Sequence, residues 1–233
     1  MNTSHVAAGL TTRLNEAREL LGAIGAAEIR VGPLNPIPPF ESSLRGLFYV
    51  SCYGALEWTV TSGVQAYLQS IDDDAVPFNR LDWVFNSVTM DAFFKSVASS
   101  GAKGKWSARR RMFEAFANDT HCKPSEVSMG DLLSNIWPKT IEEIFQCFGI
   151  AKPWTNDLSN LGYMKELVEK RNAVAHGRET AIEAGEGTTF AQLDKIHKAT
   201  SGVALYFLSA IEEHALQKLY VRSAFRAEYI NAL

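Results

Sequence analysis

The stretch Leu158–Arg178, LSNLGYMKELVEKRNAVAHGR, carries the pattern from which the fold is predicted. Apolar residues recur in it at three- and four-residue spacing, which is typical of an amphipathic helix with one buried stripe; they are Leu161, Met164, Leu167 and Val168. Asn156 or Ser159 can cap the start, and Gly177 suits the left-handed position just past the end. The pattern therefore predicts a helix that ends near His176.

The last turn and a half of this helix holds polar side chains that can carry out chemistry. Asn172 and His176 are four residues apart and share a helix face, so the amide can orient the imidazole. Arg171 lies roughly 140° from His176 around an ideal helix, so these two side chains do not stack. Fraying at Gly177 would let the imidazole turn toward the guanidinium. One titratable base and one permanent cation would then converge on a phosphate-sized site.

The composition restricts the class of protein. The chain has 233 residues, of which 46% are hydrophobic and 21% are charged, as in an ordinary globular protein. Its net charge is −3, so any nucleic-acid site must be local. Cys52, Cys122 and Cys147 form no CxxC pair and indicate reduced thiols rather than zinc ligands or disulfides. We expect no metal and no other cofactor.

The sequence shows no membrane or export segment. The N-terminus lacks a basic region followed by a long apolar stretch, and the longest apolar run, residues 203–211, is interrupted by Ser209. We therefore expect a cytoplasmic protein with no membrane partner.

Two long helices are predicted ahead of the central stretch. The first covers residues 3–28, and the second begins at Glu41 or Ser42 and runs to about Ser70. The second helix is apolar on more than one side, so we expect two of its faces to be buried. Residues 30–40 contain four prolines and predict an ordered connector on the surface.

A third helix is predicted over residues 80–99. Its expected core residues are Leu81, Val84, Phe85, Val88, Phe93 and Phe94. Residues 128–149 predict two short helices, the second opened by Pro138. An acidic loop over residues 178–187 should follow the central helix.

The last long helix is predicted to start at Thr188 or Thr189 and to reach about Val221. With no repeat and little alternating strand pattern, the predicted fold is all-α. We interpret residues 1–233 as a single helical-bundle domain with an insertion of short helices at about 100–150.

Three consecutive acids, Asp72, Asp73 and Asp74, suggest a metal site as one interpretation. Consecutive side chains point in divergent directions, and no second carboxylate cluster has complementary spacing. The preferred interpretation is that they end one helix and begin the next turn, ahead of Pro77.

The only dense basic run of the chain surrounds Trp106. Its members are Lys103, Lys105, Arg109, Arg110 and Arg111. Cations that bind phosphates, beside a ring on which a base can stack, are the composition of sites for single-stranded nucleic acid. We interpret the run as a candidate RNA-binding site, with a solvated helix face as the alternative.

Two stretches resemble the HEPN superfamily (higher eukaryotes and prokaryotes nucleotide-binding). The first, Arg171-Asn172-Ala173-Val174-Ala175-His176, fits the R-x(4–6)-H signature of that superfamily, with the Asn that often follows the Arg. The second, LRGLFYVSCYGALEWTV at residues 44–60, looks like the corresponding helix of the MAE-type branch of HEPN-like nucleases.

The resemblance implies a helical bundle that pairs with a second copy of itself and cleaves RNA without a metal. His176 would take the proton of a ribose 2′-hydroxyl, and Arg171 would stabilise the charge on the phosphorane. A polar residue from the earlier helix commonly approaches the Arg–His pair, so Glu57 is the candidate for holding Arg171. Glu57 could instead pair with another Arg or face water. Asn172 completes the candidate catalytic set.

The expected partners are an RNA substrate and a second copy of the chain, and the resemblance further implies a toxin or phage-defence effector with a possible antitoxin or defence-system partner. The first alternative is a HEPN module that binds nucleotides or RNA, or acts as a scaffold, without cleavage. The second alternative is a toxin neutralised by a paired nucleotidyltransferase. Such toxins usually carry Tyr two residues after the His, where this chain has Arg178.

Overall fold

The computed structural model describes residues 1, 3–32 and 36–230. Their helices are α1 Ser4–Val31, α2 Pro39–Asp73, α3 Asn86–Thr89, α4 Asp91–Ser99, α5 Lys105–Ala117, α6 Gly130–Leu133, α7 Pro138–Phe148, α8 Asn160–Ala175, α9 Ala181–Gly185, α10 Phe190–Leu216 and α11 Arg226–Ile230. Short 3₁₀ turns cover Phe78–Arg80 and Glu126–Met129. These residues form no strand, so the all-α prediction is confirmed.

The long helix α2 is the centre of the packing. It contacts α1, α8, α9 and α10, and its buried residues lie on more than one face, as its sequence predicts. Pro38 and Pro39 stand at its start, where a missing N–H costs no hydrogen bond. Because α2 is buried on several sides, polar side chains along it must find partners on the neighbouring helices.

The helices α1 and α10 pack on α2 and on each other. The buried residues of α1 recur every three or four positions: Val6, Leu10, Leu14, Ala17, Leu21, Ile24 and Ala27. The hydroxyl of Thr189 caps α10 by accepting a hydrogen bond from the Gln192 N–H. The helix ends at Leu216 rather than near Val221, because Lys218 adopts a left-handed backbone (φ 51°).

The helix predicted over residues 80–99 is wrong for its first six residues and is broken at Met90. Arg80 ends the 3₁₀ turn and Leu81 is extended. This segment pairs with residues 220–222: the Asp82 N–H donates to the Tyr220 carbonyl at 2.7 Å, and Leu81 forms a β-bridge with Val221. Leu81, Phe85 and Val88 are buried as predicted, whereas Val84 and Phe94 are exposed. Pairing with a distant segment therefore overrides the local helical pattern, and helix resumes only in α3 and α4.

The acidic segment 178–187 contains the helix α9 instead of a continuous loop. Thr180 and Glu183 form a reciprocal capping box at its start. The helix packs against α2 with backbone touching backbone: a Cβ added to Gly185 would collide with the Ser42 carbonyl, and one added to Gly46 would collide with the Ala181 carbonyl. Only glycine fits at either side of this contact.

The predicted connector over residues 30–40 is shorter than expected. Arg30 and Val31 belong to α1, α2 already begins at Pro39, and the positions 33–35 lie outside the described residues.

At its far end α2 stops at Asp73, and Asp74 accepts hydrogen bonds from Lys218 and Tyr220. In the part of the chain that the structure describes, no helix is long and apolar enough to cross a membrane.

Candidate active site

The helix α8 ends as its sequence predicts. Its last residue is Ala175, His176 is the C-cap, and Gly177 takes the left-handed conformation (φ 67°). The Gly177 N–H donates to the Val174 carbonyl at 3.1 Å, and the Arg178 N–H donates to the Ala173 carbonyl at 2.8 Å. These two bonds form a Schellman motif, so the helix is closed just after the Arg–His sequence and the predicted fraying at Gly177 is not observed.

Arg171 is held from three directions. Its Nη2 lies 3.3 Å from Oε1 and 3.5 Å from Oε2 of Glu57 on α2. Its Nη1 donates to Oδ1 of the buried Asn172 at 2.8 Å. The guanidinium carbon also lies 3.9 Å from the centroid of the Tyr53 ring, in a cation–π contact. The guanidinium therefore has a fixed position on the surface of α2.

The predicted contact between Glu57 and Arg171 is present. Glu57 is half-buried and finds this partner on α8, more than a hundred residues away in sequence. The catalytic roles of the two residues stay predictions.

Tyr53 is a member of the site that the sequence reasoning missed. Its hydroxyl donates to Oδ1 of Asn135 at 2.9 Å and accepts the Ile136 N–H at 2.8 Å. Burial raises the pKa of Tyr53 to about 12, so the phenol stays neutral and keeps both bonds. Tyr53 stands four residues before Glu57 on the same helix face, and that spacing was the available signal.

His176 lies at the exposed end of α8. Its backbone N–H donates to the Asn172 carbonyl at 3.1 Å, but its ring makes no hydrogen bond to any group within residues 1, 3–32 and 36–230. The predicted contact between Asn172 and the imidazole is therefore wrong. The buried Asn172 amide bonds the guanidinium instead, while the histidine side chain stays in solvent.

A cleft of about 480 Å³ borders the other side of α8. Its lining is Trp137, Glu166, Glu169, Lys170, Asn172, Ala173, Arg178 and Glu179. Three carboxylates there face two cations, and Lys170 is already paired with Glu179 at 3.2 Å. This acidic balance does not suit a phosphate.

The basic run lies on a different part of the molecule from Arg171. Lys103 is in the turn before α5, and the other members belong to α5, which packs on α4 and on the turn Phe78–Arg80. The Arg109 guanidinium lies 5.0 Å from the Trp106 ring centroid, and Arg110 pairs with Glu114 at 3.3 Å. The RNA-binding role of this run stays a prediction.

The acidic run Asp72–Asp74 does not form a metal centre with other described residues. Across residues 1, 3–32 and 36–230, no group of at least three His, Cys, Asp or Glu side chains is placed to hold a metal ion. Asp74 is instead bonded to Lys218 and Tyr220, next to the core.

Comparison with known proteins gives one match. Neither the curated proteins nor the solved structures contain a significant match to this chain. The family model described as RiboL-PSP-HEPN matches residues 11–215, which include Glu57, Arg171 and His176. The resemblance to the MAE-type branch stays a prediction. The match covers most of the sequence, and the chain therefore belongs to the RiboL-PSP-HEPN family of the HEPN superfamily.

Proposed function

We propose that the protein is a metal-independent endoribonuclease whose active site contains Arg171 and His176. One observation carries the proposal: Glu57, Asn172 and the Tyr53 ring immobilise the guanidinium of Arg171, which precedes the exposed His176 by five residues at the end of the same helix. A fixed cation that needs no reorganisation is the arrangement that stabilises developing charge best.

The proposed reaction is an internal transfer on RNA. His176 takes the proton of a ribose 2′-hydroxyl, whose oxygen attacks the adjacent phosphorus. Arg171 binds the equatorial oxygens of the phosphorane through its planar fork. The bond to the 5′-oxygen breaks, and that oxygen takes a proton from solvent or from a second histidine. The products are a 2′,3′-cyclic phosphate and a 5′-hydroxyl end.

The proposed active species is a two-fold homodimer. The motif lies at one end of a helix, so a single chain reaches one side of a substrate, and a two-fold axis would bring a second motif to the other side. Leu161 on α8 is exposed rather than part of the predicted buried stripe, and Leu205 on α10 is exposed as well. Such an interface could cover both apolar residues.

The test is cleavage of total RNA by the purified chain with and without EDTA. We expect cleavage in both conditions, cyclic-phosphate ends, and no cleavage of DNA, which lacks the 2′-hydroxyl. Arg171→Ala and His176→Ala should each lower the rate by a factor of about 10² or more. A strict requirement for Mg²⁺ or Mn²⁺, or full activity in either variant, contradicts the proposal.

A second candidate is a HEPN module that binds RNA or nucleotides without cleavage. The observation in its favour is that no described group orients the His176 ring, whereas the Arg171 anchor is complete. In that case wild type and His176→Ala should both bind RNA and leave it intact, while Arg171→Ala should bind more weakly.

The cellular role that we propose is that of a cytoplasmic toxin or phage-defence effector. If this is correct, expression of the wild-type chain should arrest growth, and expression of His176→Ala at the same level should not. Growth that is equal in both cultures, with RNA cleavage established in vitro, would separate the chemistry from the toxic role.

A further inference from the structure

The helices α4 and α5 pack on each other as a hairpin, and Phe93, Met112 and Phe116 attach this hairpin to the core. No residue of α4, all of which is described, is fully buried, and α5 buries only Ala108 and Ala115. A groove of about 830 Å³ lies between the two helices. The ribonuclease chemistry proposed above uses none of its residues.

The groove is lined by both aromatic and basic side chains. Trp106, Arg110 and Phe113 follow one another at four- and three-residue spacing, so they lie within about 60° around the helix. Arg109 lies beside them and contacts the Trp106 ring. Trp106 is 73% exposed and Phe113 69% exposed, and Phe94 of α4, at 48%, lines the same groove.

The hairpin has the opposite charge to the rest of the molecule. Residues 91–117 carry six Lys or Arg against two Asp or Glu, a net charge of +4 in a chain whose total is −3. Lys105, Arg109 and Arg110 line the groove, and Lys103 lies in the turn at its end, whereas Arg111 faces away from it. A polyanion is therefore attracted to this hairpin, whereas the remaining residues of the chain together carry a net negative charge.

The order of the side chains favours a nucleic acid over a partner helix. An amphipathic helix needs an uninterrupted apolar stripe with the charges at its rim. Here Arg109 and Arg110 lie between Trp106 and Phe113 along the axis of α5, and all four line the groove. Rings for base stacking, with cations between them for the phosphates, are what an unpaired strand requires.

We infer that the α4–α5 groove binds single-stranded RNA. The inference deepens the proposed function and rests on it for the choice of RNA: the groove holds one part of the strand while another part reaches Arg171 and His176. Bases stack on Trp106 and Phe113, and Arg109 and Arg110 contact phosphates.

The experiment measures fluorescence anisotropy of a labelled single-stranded RNA of about 12 nucleotides. The full chain is used with His176→Ala, so that the probe stays intact. Trp106→Ala and Phe113→Ala should each weaken binding about tenfold. Phe40→Ala, which removes an equally exposed ring on α2, is the matched control and should bind within twofold of the parent.

The double variant Arg109→Gln/Arg110→Gln tests the phosphate contacts. The slope of log affinity against log salt concentration is negative, and the double variant should reduce its magnitude by about 1.4. Its control, Arg18→Gln/Lys195→Gln, removes two exposed charges from α1 and α10 and should leave the slope unchanged.

The outcomes separate this inference from the proposed cleavage. Binding that both aromatic substitutions leave within twofold overturns the inference, as does the absence of RNA binding or selective binding of an acidic amphipathic peptide. If the wild type cleaves RNA while the hairpin variants bind normally, the proposed cleavage is supported and RNA binding in the α4–α5 groove is contradicted. If no RNA is cleaved but the hairpin variants lose binding, RNA binding in the groove is supported and the proposed cleavage is contradicted.

Discussion

Side chains of three kinds meet at the Arg171 guanidinium: a carboxylate, an amide and an aromatic ring. Arg171 keeps about a fifth of its side chain exposed and Glu57 a third, so water screens their attraction. The contacts therefore contribute little to folding and serve mainly to fix the direction of the guanidinium. Function and stability should separate cleanly at this site.

Glu57→Gln tests that separation. The amide keeps the size of the side chain and removes the charge, so the free energy of unfolding should change by less than about 1 kcal/mol. The rate of RNA cleavage should fall about tenfold or more, because the guanidinium loses its ionic anchor. Glu228→Gln, which breaks the exposed ion pair with Arg80, is the control. Equal cleavage by Glu57→Gln and wild type would contradict the positioning role.

His214 predicts a pH dependence of stability. Its Nδ1 lies 2.8 Å from the Tyr67 hydroxyl, and burial, helped by the charge of Arg226, lowers its pKa to about 4. In the unfolded chain the same group titrates near about 6.5. Between these values the unfolded chain binds a proton that the folded chain does not, so the free energy of unfolding falls as the pH falls.

Urea unfolding at about pH 7.5 and about pH 5 measures this effect. Between these two pH values the loss should be about 2 kcal/mol, and it should approach about 3 kcal/mol only when the pH reaches the folded pKa. Well above the unfolded pKa, this part of the pH dependence should vanish. His214→Gln should remove this part of the pH dependence, whereas His5→Gln, at an exposed position, should keep it. The same loss in His214→Gln as in wild type would show that another group is responsible.

At the scale of elements, the C-terminal end of α8 determines the position of the Arg171–His176 motif. Gly177 is left-handed, and a Cβ added there meets no atom within 4 Å, so the cost of alanine is conformational rather than steric. Gly177→Ala should lower the free energy of unfolding by about 1–2 kcal/mol. Gly22→Ala, at an equally open site inside α1, should raise it by about 0.5–1 kcal/mol. Equal effects of the two substitutions on the denaturation midpoint would contradict this assignment.

Long elements with a sustained period could be predicted from sequence. The helices α1, α2 and α8 follow their apolar spacing, and their observed ends lie within a few residues of the predicted ones. Residues 80–99 carried the same period, yet part of the segment pairs with residues 220–222. Spacing alone does not reveal that pairing, because its partner is distant in the chain.

Some residues of the candidate site could likewise be predicted from the sequence, and others could not. Arg171 and His176 are separated by four residues, so a local pattern could identify them. Glu57 was identified through a resemblance in α2, and its contact with Arg171 is present. Tyr53 was missed because an aromatic residue on a buried helix is ordinary core; its contact with the Arg171 guanidinium is what makes it part of the site.

At the scale of the whole molecule, the proposed homodimer predicts complementation between inactive chains. Mixing Arg171→Ala with His176→Ala chains should restore part of the cleavage activity, because a mixed dimer keeps one intact arginine and one intact histidine across its shared cleft. The measurement is the cleavage rate of the mixture against each variant alone. Light scattering that gives a monomer, with cleavage unchanged on dilution, would contradict the dimer.

The backbone contact between α2 and α9 at Gly46 and Gly185, called the seam below, determines which substitutions these positions tolerate. Each glycine faces a carbonyl of the other helix, so any side chain at either position would drive α9 off α2. In a mutational scan selected for folding alone, both positions should accept glycine only, while position 176 should accept almost any residue. In a mutational scan selected for toxicity, position 176 should accept as few residues as the two positions of the seam. The difference between the two scans would distinguish positions required for shape from positions required for chemistry.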